Sequence, residues 1–172
     1  MFVGTSLDGF IARPNGTFDF LPDSPEPHGY EEFFATVDAL LMGRKTYETA
    51  LAFGQWPYGS KPVFVLSSRT LAQVPDGAVV ERVTGTPQEI MTGLAARGIE
   101  HVYVDGGQTV QQFLRAGLID RITVTRVPVL IGSGISIFGE SDRDVPLQHI
   151  ATHSYPSGLV KSEYAVLPPR QH

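Results

Sequence analysis

Ala39-Leu40-Leu41-Met42-Gly43-Arg44-Lys45-Thr46-Tyr47 holds a strand end, a turn and a helix start in one short stretch. Four apolar residues closed by Gly43 are too short for a helix and read as a buried strand. From Lys45 to Phe53 the pattern turns helical, with Tyr47 and Leu51 on one apolar face. Gly43 permits a close turn, Arg44 and Lys45 supply charge, and the Thr46 hydroxyl is placed to reach a phosphate oxygen. Cations at a helix N-terminus oppose the macrodipole, which implies an anionic partner. The plainer alternative is a glycine turn followed by a solvated basic helix start.

The same grammar recurs on either side. Pro62 to Leu66 is a second buried strand, leaving into Ser67-Ser68-Arg69. Two hydroxyls and a guanidinium suit a phosphomonoester, because Arg forms paired hydrogen bonds with phosphate oxygens; an ordinary turn is the alternative. His101 to Val104 is a third strand, followed by Asp105-Gly106-Gly107-Gln108-Thr109 and a helix from Thr109 to Ala116. Two glycines at a strand-to-helix junction let a pyrophosphate approach backbone N–H groups, or else serve a tight left-handed connection. The Gly-x-Gly-x-x-Gly fingerprint is absent, so a Rossmann assignment has no support.

Around these junctions, Phe2 to Gly4 and Gly9 to Ala12 read as strand interrupted by Ser6-Leu7-Asp8, and Glu31 to Val37 as a short helix. Ala78 to Val80 is a further strand. Thr86-Pro87-Gln88-Glu89 is a capping box that opens a helix running to Arg97, with Gly98 at its end. Ile119–Val127, Pro146–His153 and Leu159–Val166 are strands with no helix between them. Strand–helix alternation followed by consecutive strands predicts an α/β protein. The expected architecture is a three-layer α/β/α sandwich with a mixed, mostly parallel central sheet and antiparallel C-terminal strands, formed as one domain over residues 1–172. Gly132-Ser133-Gly134 reads as a loop between antiparallel strands that has a place in lining a pocket.

The chain has 172 residues, 42% hydrophobic and 18% charged, an ordinary globular composition. Thirteen basic residues against eighteen acidic ones leave a net charge of −5. That balance argues against nucleic-acid or membrane-surface partners, which need a concentrated basic face. Zero cysteines exclude disulfides, Cys-ligated metals and thiol catalysis. With no membrane-length apolar run and no signal-peptide pattern at Met1-Phe2-Val3-Gly4, a cytoplasmic location is expected. His28, His101, His149, His153 and His172 show no metal spacing; His149 and His153 are expected on one face of a strand without meeting. No Gly-x-Ser-x-Gly elbow marks a nucleophile.

Together, Met42-Gly43-Arg44-Lys45-Thr46-Tyr47-Glu48, Leu66-Ser67-Ser68-Arg69 and Gly106-Gly107-Gln108 before Phe113-Leu114 resemble the dihydrofolate reductase fold. Ser6-Leu7-Asp8-Gly9-Phe10-Ile11-Ala12, Val104-Asp105-Gly106-Gly107 and Val127-Pro128-Val129-Leu130-Ile131-Gly132-Ser133-Gly134 resemble one branch of it, the reductase domain of bacterial riboflavin biosynthesis. The resemblance implies NADPH as cofactor and, by analogy, a homodimer paired through sheet-edge or antiparallel strands. It implies that Gly43, Arg44, Lys45 and Thr46 hold phosphates, and that Ser67, Ser68 and Arg69 hold the adenosine 2′-phosphate. Gly106, Gly107, Gln108 and Thr109 take the pyrophosphate, while Gly4, Thr5, Ile11 and Ala12 approach the nicotinamide. Phe10 stands where the riboflavin branch commonly has a basic residue, and losing that cation weakens the case for a ribosyl phosphate substrate; Asp105 stands where the branch often has Glu. Glu31 and Glu32 do not align cleanly with the folate-binding carboxylate and read as solvated.

The function implied is an NADPH-dependent reductase acting on a small, planar heterocyclic or carbonyl compound, resembling 5-amino-6-(5-phosphoribosylamino)uracil reductase and dihydrofolate reductase. The alternative is a nucleotide-binding protein without turnover. Asp8 and Asp105 are the candidate proton donors; Asp8 has a competing role in capping the turn that Gly9 completes. Phe53, Trp56 and Tyr58, with Phe18, Phe20 and Leu21, either stack a flat substrate or pack on the sheet.

Overall fold

In a computed structural model, which describes residues 1–22, 28–71, 73–141 and 143–168, the elements run β1 (Phe2–Ser6), β2 (Phe10–Ala12), α1 (Tyr30–Thr36), β3 (Ala39–Gly43), α2 (Arg44–Leu51), β4 (Val63–Leu66), β5 (Val80–Val83), α3 (Pro87–Ala95), β6 (Val102–Asp105), α4 (Gly107–Arg115), β7 (Arg121–Val127), β8 (Ile135–Ser136), β9 (Leu147–Ser154) and β10 (Val160–Val166). His172 lies outside the described residues. The expected α/β class holds, with parallel pairing predominating over antiparallel among these strands. The chain divides into two compact units: Glu31–Ala116, and Met1–Tyr30 with Gly117–His172.

The central unit is built on a fully parallel sheet in the order β5-β4-β3-β6. β3 lies inside it, and Ala39, Leu40, Leu41 and Met42 are all 0% exposed. A parallel strand covered on both faces has no reason to alternate polar with apolar, which is why the run is continuous. Tyr47 and Ala50 of α2, Ile90 and Leu94 of α3, and Val110 and Phe113 of α4 complete the core. The Thr86 capping box forms as expected, and Gly98 and Gly117 take positive φ (77° and 70°) beyond α3 and α4. Several boundaries differ from expectation: α2 spans Arg44–Leu51 rather than Lys45 to Phe53, and α3 ends at Ala95 rather than Arg97. β5 begins at Val80 rather than Ala78 and continues through Glu81 and Arg82, charged residues that an edge strand tolerates. α4 starts two residues early, with Gly106 at its N-cap.

The second unit carries the sheet β1-β7-β10-β9, parallel between β1 and β7 and antiparallel from β7 onward. β8, absent from the sequence reading, pairs with β2. A register shift between Glu163 and Tyr164 pairs His149 with Tyr164 but His153 with Lys161. Because strand residues alternate faces, the bulge puts His149 and His153 on opposite faces, correcting the expectation of a shared one.

Candidate functional site

Three predicted junctions stand in a row along the carboxyl edge of the central sheet. Gly43 at the end of β3 is level with Leu66 of β4, and Met42 is level with Asp105 of β6. Neighbouring strands are about 4.8 Å apart, so the starts of α2 and α4 and the Ser67 loop share one rim.

Both helix starts are open. The N-caps Gly43 and Gly106 have no side chain to bond the first-turn N–H groups. They also interlock. A Cβ on Gly43 would lie 2.9 Å from Thr109 Oγ1, and one on Gly106 would lie 2.3 Å from Thr46 Oγ1. Each N-cap glycine therefore accommodates a threonine from the first turn of the other helix. Gly106 further requires glycine through its φ of 87°. Two converging helix N-termini concentrate unbonded N–H donors and positive dipole ends on one point, which suits a phosphate or pyrophosphate.

The surrounding groups differ in freedom. Arg44 pairs with Glu48 along α2, whereas Lys45 is exposed. Gly107 and Thr109 are buried and Gln108 is exposed. The Ser67 hydroxyl is committed: it donates to Arg69 O at 2.8 Å and accepts from Arg69 N at 3.0 Å, which shapes the loop and leaves Ser68 and Arg69 exposed. Arg82 Nη1, not singled out in the sequence, donates to the Ser67 carbonyl at 3.2 Å.

Asp105 ends β6 half-buried, and its carboxylate accepts the Gly106 N–H at 2.8 Å. Burial pushes its carboxyl above the ordinary aspartate range, the Gly106 bond opposing this only in part. Asp8, in the other unit, is the reverse case. It is solvent-exposed and accepts backbone N–H bonds from Gly132 at 2.8 Å and Ile131 at 3.3 Å. Interaction with the Ser6 side chain, then with these N–H groups, holds its carboxyl below the ordinary range. Asp8 thus ties the first turn to the loop containing Gly132, and Leu7 N reinforces this by donating to Val129 O at 2.8 Å. No sequence signal joins residues this far apart along the chain.

In that unit Thr5 and Ala12 are buried, Ile11 is half-buried, and Leu21 covers Gly4, its Cδ2 lying 3.1 Å from where a Cβ would be. Thr5 and Asp8 border a cavity of about 560 Å³ whose other lining includes Ile122, Arg126, Phe138 and Tyr164. Among the loop aromatics, Trp56 and Tyr58 pack on each other, while Phe20 lies under the Arg13 guanidinium. Trp56 meets Tyr47 at 5.8 Å and Tyr58 at 5.1 Å between ring centroids, both edge-on, and its buried indole N–H has no hydrogen-bond partner among the described residues. Phe53 is exposed. Glu31 and Glu32 are exposed in the first turn of α1. Among the described residues no cluster of three or more His, Asp or Glu could hold a metal, and no helix is long and apolar enough to cross a membrane.

Sheet, glycine-capped helices and edge loop together define an α/β protein of the dihydrofolate reductase-like class. Within that class, the chain belongs to the RibD C-terminal domain family, whose model matches residues 1–161. It is 30% identical over 162 residues to the uncharacterized protein YwjB of Bacillus subtilis strain 168, covering 90% of each chain. The crystal structure of a Shewanella sp. PV-4 protein assigned to riboflavin biosynthesis superposes with a TM-score of 0.87 at 39% identity, covering 97% of each chain. Enterococcus faecalis dihydrofolate reductase, solved in complex with NADP(H), shares the fold: TM-score 0.61, 19% identity, 96% of this chain and 94% of that one.

Proposed function

We propose that this chain is a single-domain NADPH-dependent oxidoreductase that transfers a hydride to a small planar heterocyclic or carbonyl compound. The observation that carries the reading is the pair of interlocked, uncapped helix starts at Gly43 and Gly106 beside the Ser67-Ser68-Arg69 loop. Family membership supports the same reading. The residues present fit the cofactor. Gly43, Lys45 and Thr46 with Gly106, Gly107, Gln108 and Thr109 would hold the pyrophosphate through first-turn N–H groups and hydroxyls. Ser68 and Arg69 would meet the 2′-phosphate on the loop that Ser67 shapes, and Gly4, Thr5, Ile11 and Ala12 would contact the nicotinamide. Arg44, already paired with Glu48, contributes less charge than Lys45.

The bound nicotinamide supplies the hydride, and the chain must supply or guide a proton. Of the two candidate carboxylates we assign that task to Asp105. A proton donor needs a carboxyl whose proton survives toward neutral pH, and burial works in that direction at Asp105. Asp8 is held ionised and serves to anchor its loop. We further place the enzyme in the cytoplasm as a homodimer; a monomeric mass by light scattering would remove the dimer.

Titration of the purified chain with NADPH and NADH tests the cofactor. Arg69→Ala is expected to cost about 1–3 kcal/mol in NADPH binding and to leave NADH nearly unchanged. Failure of the unaltered chain to bind either nucleotide would sink the reading.

A further inference from the structure

The edge strand β5 carries a cation that points at the Ser67 loop. Arg82 is level with Val65 of β4, yet its Nη1 reaches forward to the carbonyl of Ser67, 3.2 Å away. Its side chain therefore leans along the strand toward the carboxyl rim.

The face it occupies follows from its neighbour. Glu81 accepts two hydrogen bonds from Arg97 Nη1 at 3.0 Å, and the Arg97 guanidinium lies 5.0 Å over the ring of Phe64, which is level with Glu81. Arg97 follows α3, so Glu81 and Phe64 face the α3 side. Successive strand residues alternate, which puts Arg82 on the opposite face. The crossovers β3–α2–β4 and β5–α3–β6 advance across the sheet in opposite directions, and right-handed connections then place α2 and α3 on opposite faces. Arg82 thus shares its face with α2, whose start forms half of the glycine cradle.

Arg82 also lacks a counter-ion. No carboxylate lies within ion-pair distance of it among the described residues, whereas Arg44 has Glu48 and Arg97 has Glu81. Its one hydrogen bond leaves most of the guanidinium's five N–H donors unused. A phosphomonoester near neutral pH carries about −1.5 to −2 charges. Arg69 alone leaves roughly half of that unmatched.

Building on the NADPH reading, we propose that Arg82 is the second cation of the 2′-phosphate subsite and, with Arg69, sets the preference for NADPH over NADH. Its bond to the Ser67 carbonyl holds the guanidinium at the loop before the nucleotide arrives, so little side-chain freedom is lost on binding.

The test is calorimetric titration of the full chain with NADPH, NADH and 2′,5′-ADP at low and moderate salt. Arg82→Ala is expected to weaken NADPH and 2′,5′-ADP about tenfold or more and to shift NADH less than about twofold. Arg82→Gln removes the charge and keeps only a shorter N–H donor, so it should lose the same selectivity; Arg82→Lys, which keeps a charge of similar reach, should retain part of it. Equal weakening of NADPH and NADH by Arg82→Ala, with Arg82→Gln behaving as the unaltered chain, would make Arg82 a loop support and overturn the proposal. An unchanged NADPH to NADH ratio in all variants overturns it too. If the unaltered chain itself does not prefer NADPH, the cofactor reading falls and takes this inference with it. If that preference stands and survives every change at Arg82, only this inference falls.

Discussion

The start of α3 and the starts of α2 and α4 solve the same electrostatic problem in opposite ways. At α3, Thr86 Oγ1 accepts the Glu89 N–H at 3.3 Å, while Glu89 Oε2 accepts from Thr86 N at 2.8 Å and from the Thr86 hydroxyl at 2.9 Å. The N–H groups of Thr86 and Glu89 are thus satisfied within the helix start itself. At α2 and α4 the N-cap is glycine and no side chain closes the turn. The carboxylates follow suit. Glu89 is pulled below its ordinary range by the Thr86 N–H and hydroxyl, whereas Asp105 is pushed above its range by burial. A self-capped helix start adds stability and has fewer donors left for a ligand; an uncapped one keeps its donors for an anion from outside.

Perturbing each side of that contrast should give separable results. The largest effect is expected from Asp105→Asn, which should lower reductase turnover by about 10²–10⁴-fold while leaving NADPH affinity within roughly twofold. Loss of affinity in step with turnover would make Asp105 a scaffold residue. Because the folded-state pKa of Asp105 lies above its unfolded value, its stabilising contribution is complete below the unfolded pKa and is lost as pH rises through the folded one. Donor activity should fall over that same rise, and Asp105→Asn should flatten this limb of the pH–stability curve. Next in size is Gly106→Ala, which forces an alanine to a φ of 87° with its Cβ 2.3 Å from Thr46 Oγ1. The expected cost is about 2–4 kcal/mol in urea unfolding, with impaired NADPH binding. Adding Thr46→Ala should recover the steric share and leave the backbone share. Smallest is Thr86→Ala, about 1 kcal/mol of stability with NADPH affinity unchanged. A change in affinity there would erase the distinction between self-satisfied and open helix starts.

Much of this contrast can be read from local residue order. The continuous apolar runs of β3 and β4 require burial on both faces, and Thr86-Pro87-Gln88-Glu89 carries its cap in four adjacent letters. The three junctions were likewise legible, because strand end and turn are contiguous in each, although a helix opens only after β3 and β6, while the Ser67 loop leads from β4 to β5. What escaped depends on distant pairing. β8 is two residues long and exists through its partner β2. Asp8 is fixed by N–H groups at Ile131 and Gly132. Arg82 gained meaning only once β5 lay beside β4 and its carbonyl partner came into reach. The bulge that separates His149 from His153 arises from register with β10, which neither strand reveals alone.

The crossed contacts of Gly43 with Thr109 and of Gly106 with Thr46 bear on how this sequence can vary. Neither helix start can change shape unless the other gives way, so substitutions at these four positions should be strongly epistatic. A segment exchanged from a relative would have to bring both starts together: a chimera carrying only a foreign α4 opening meets the wrong counterpart on α2. The four positions are heritable as a single unit although more than sixty residues separate the first from the last.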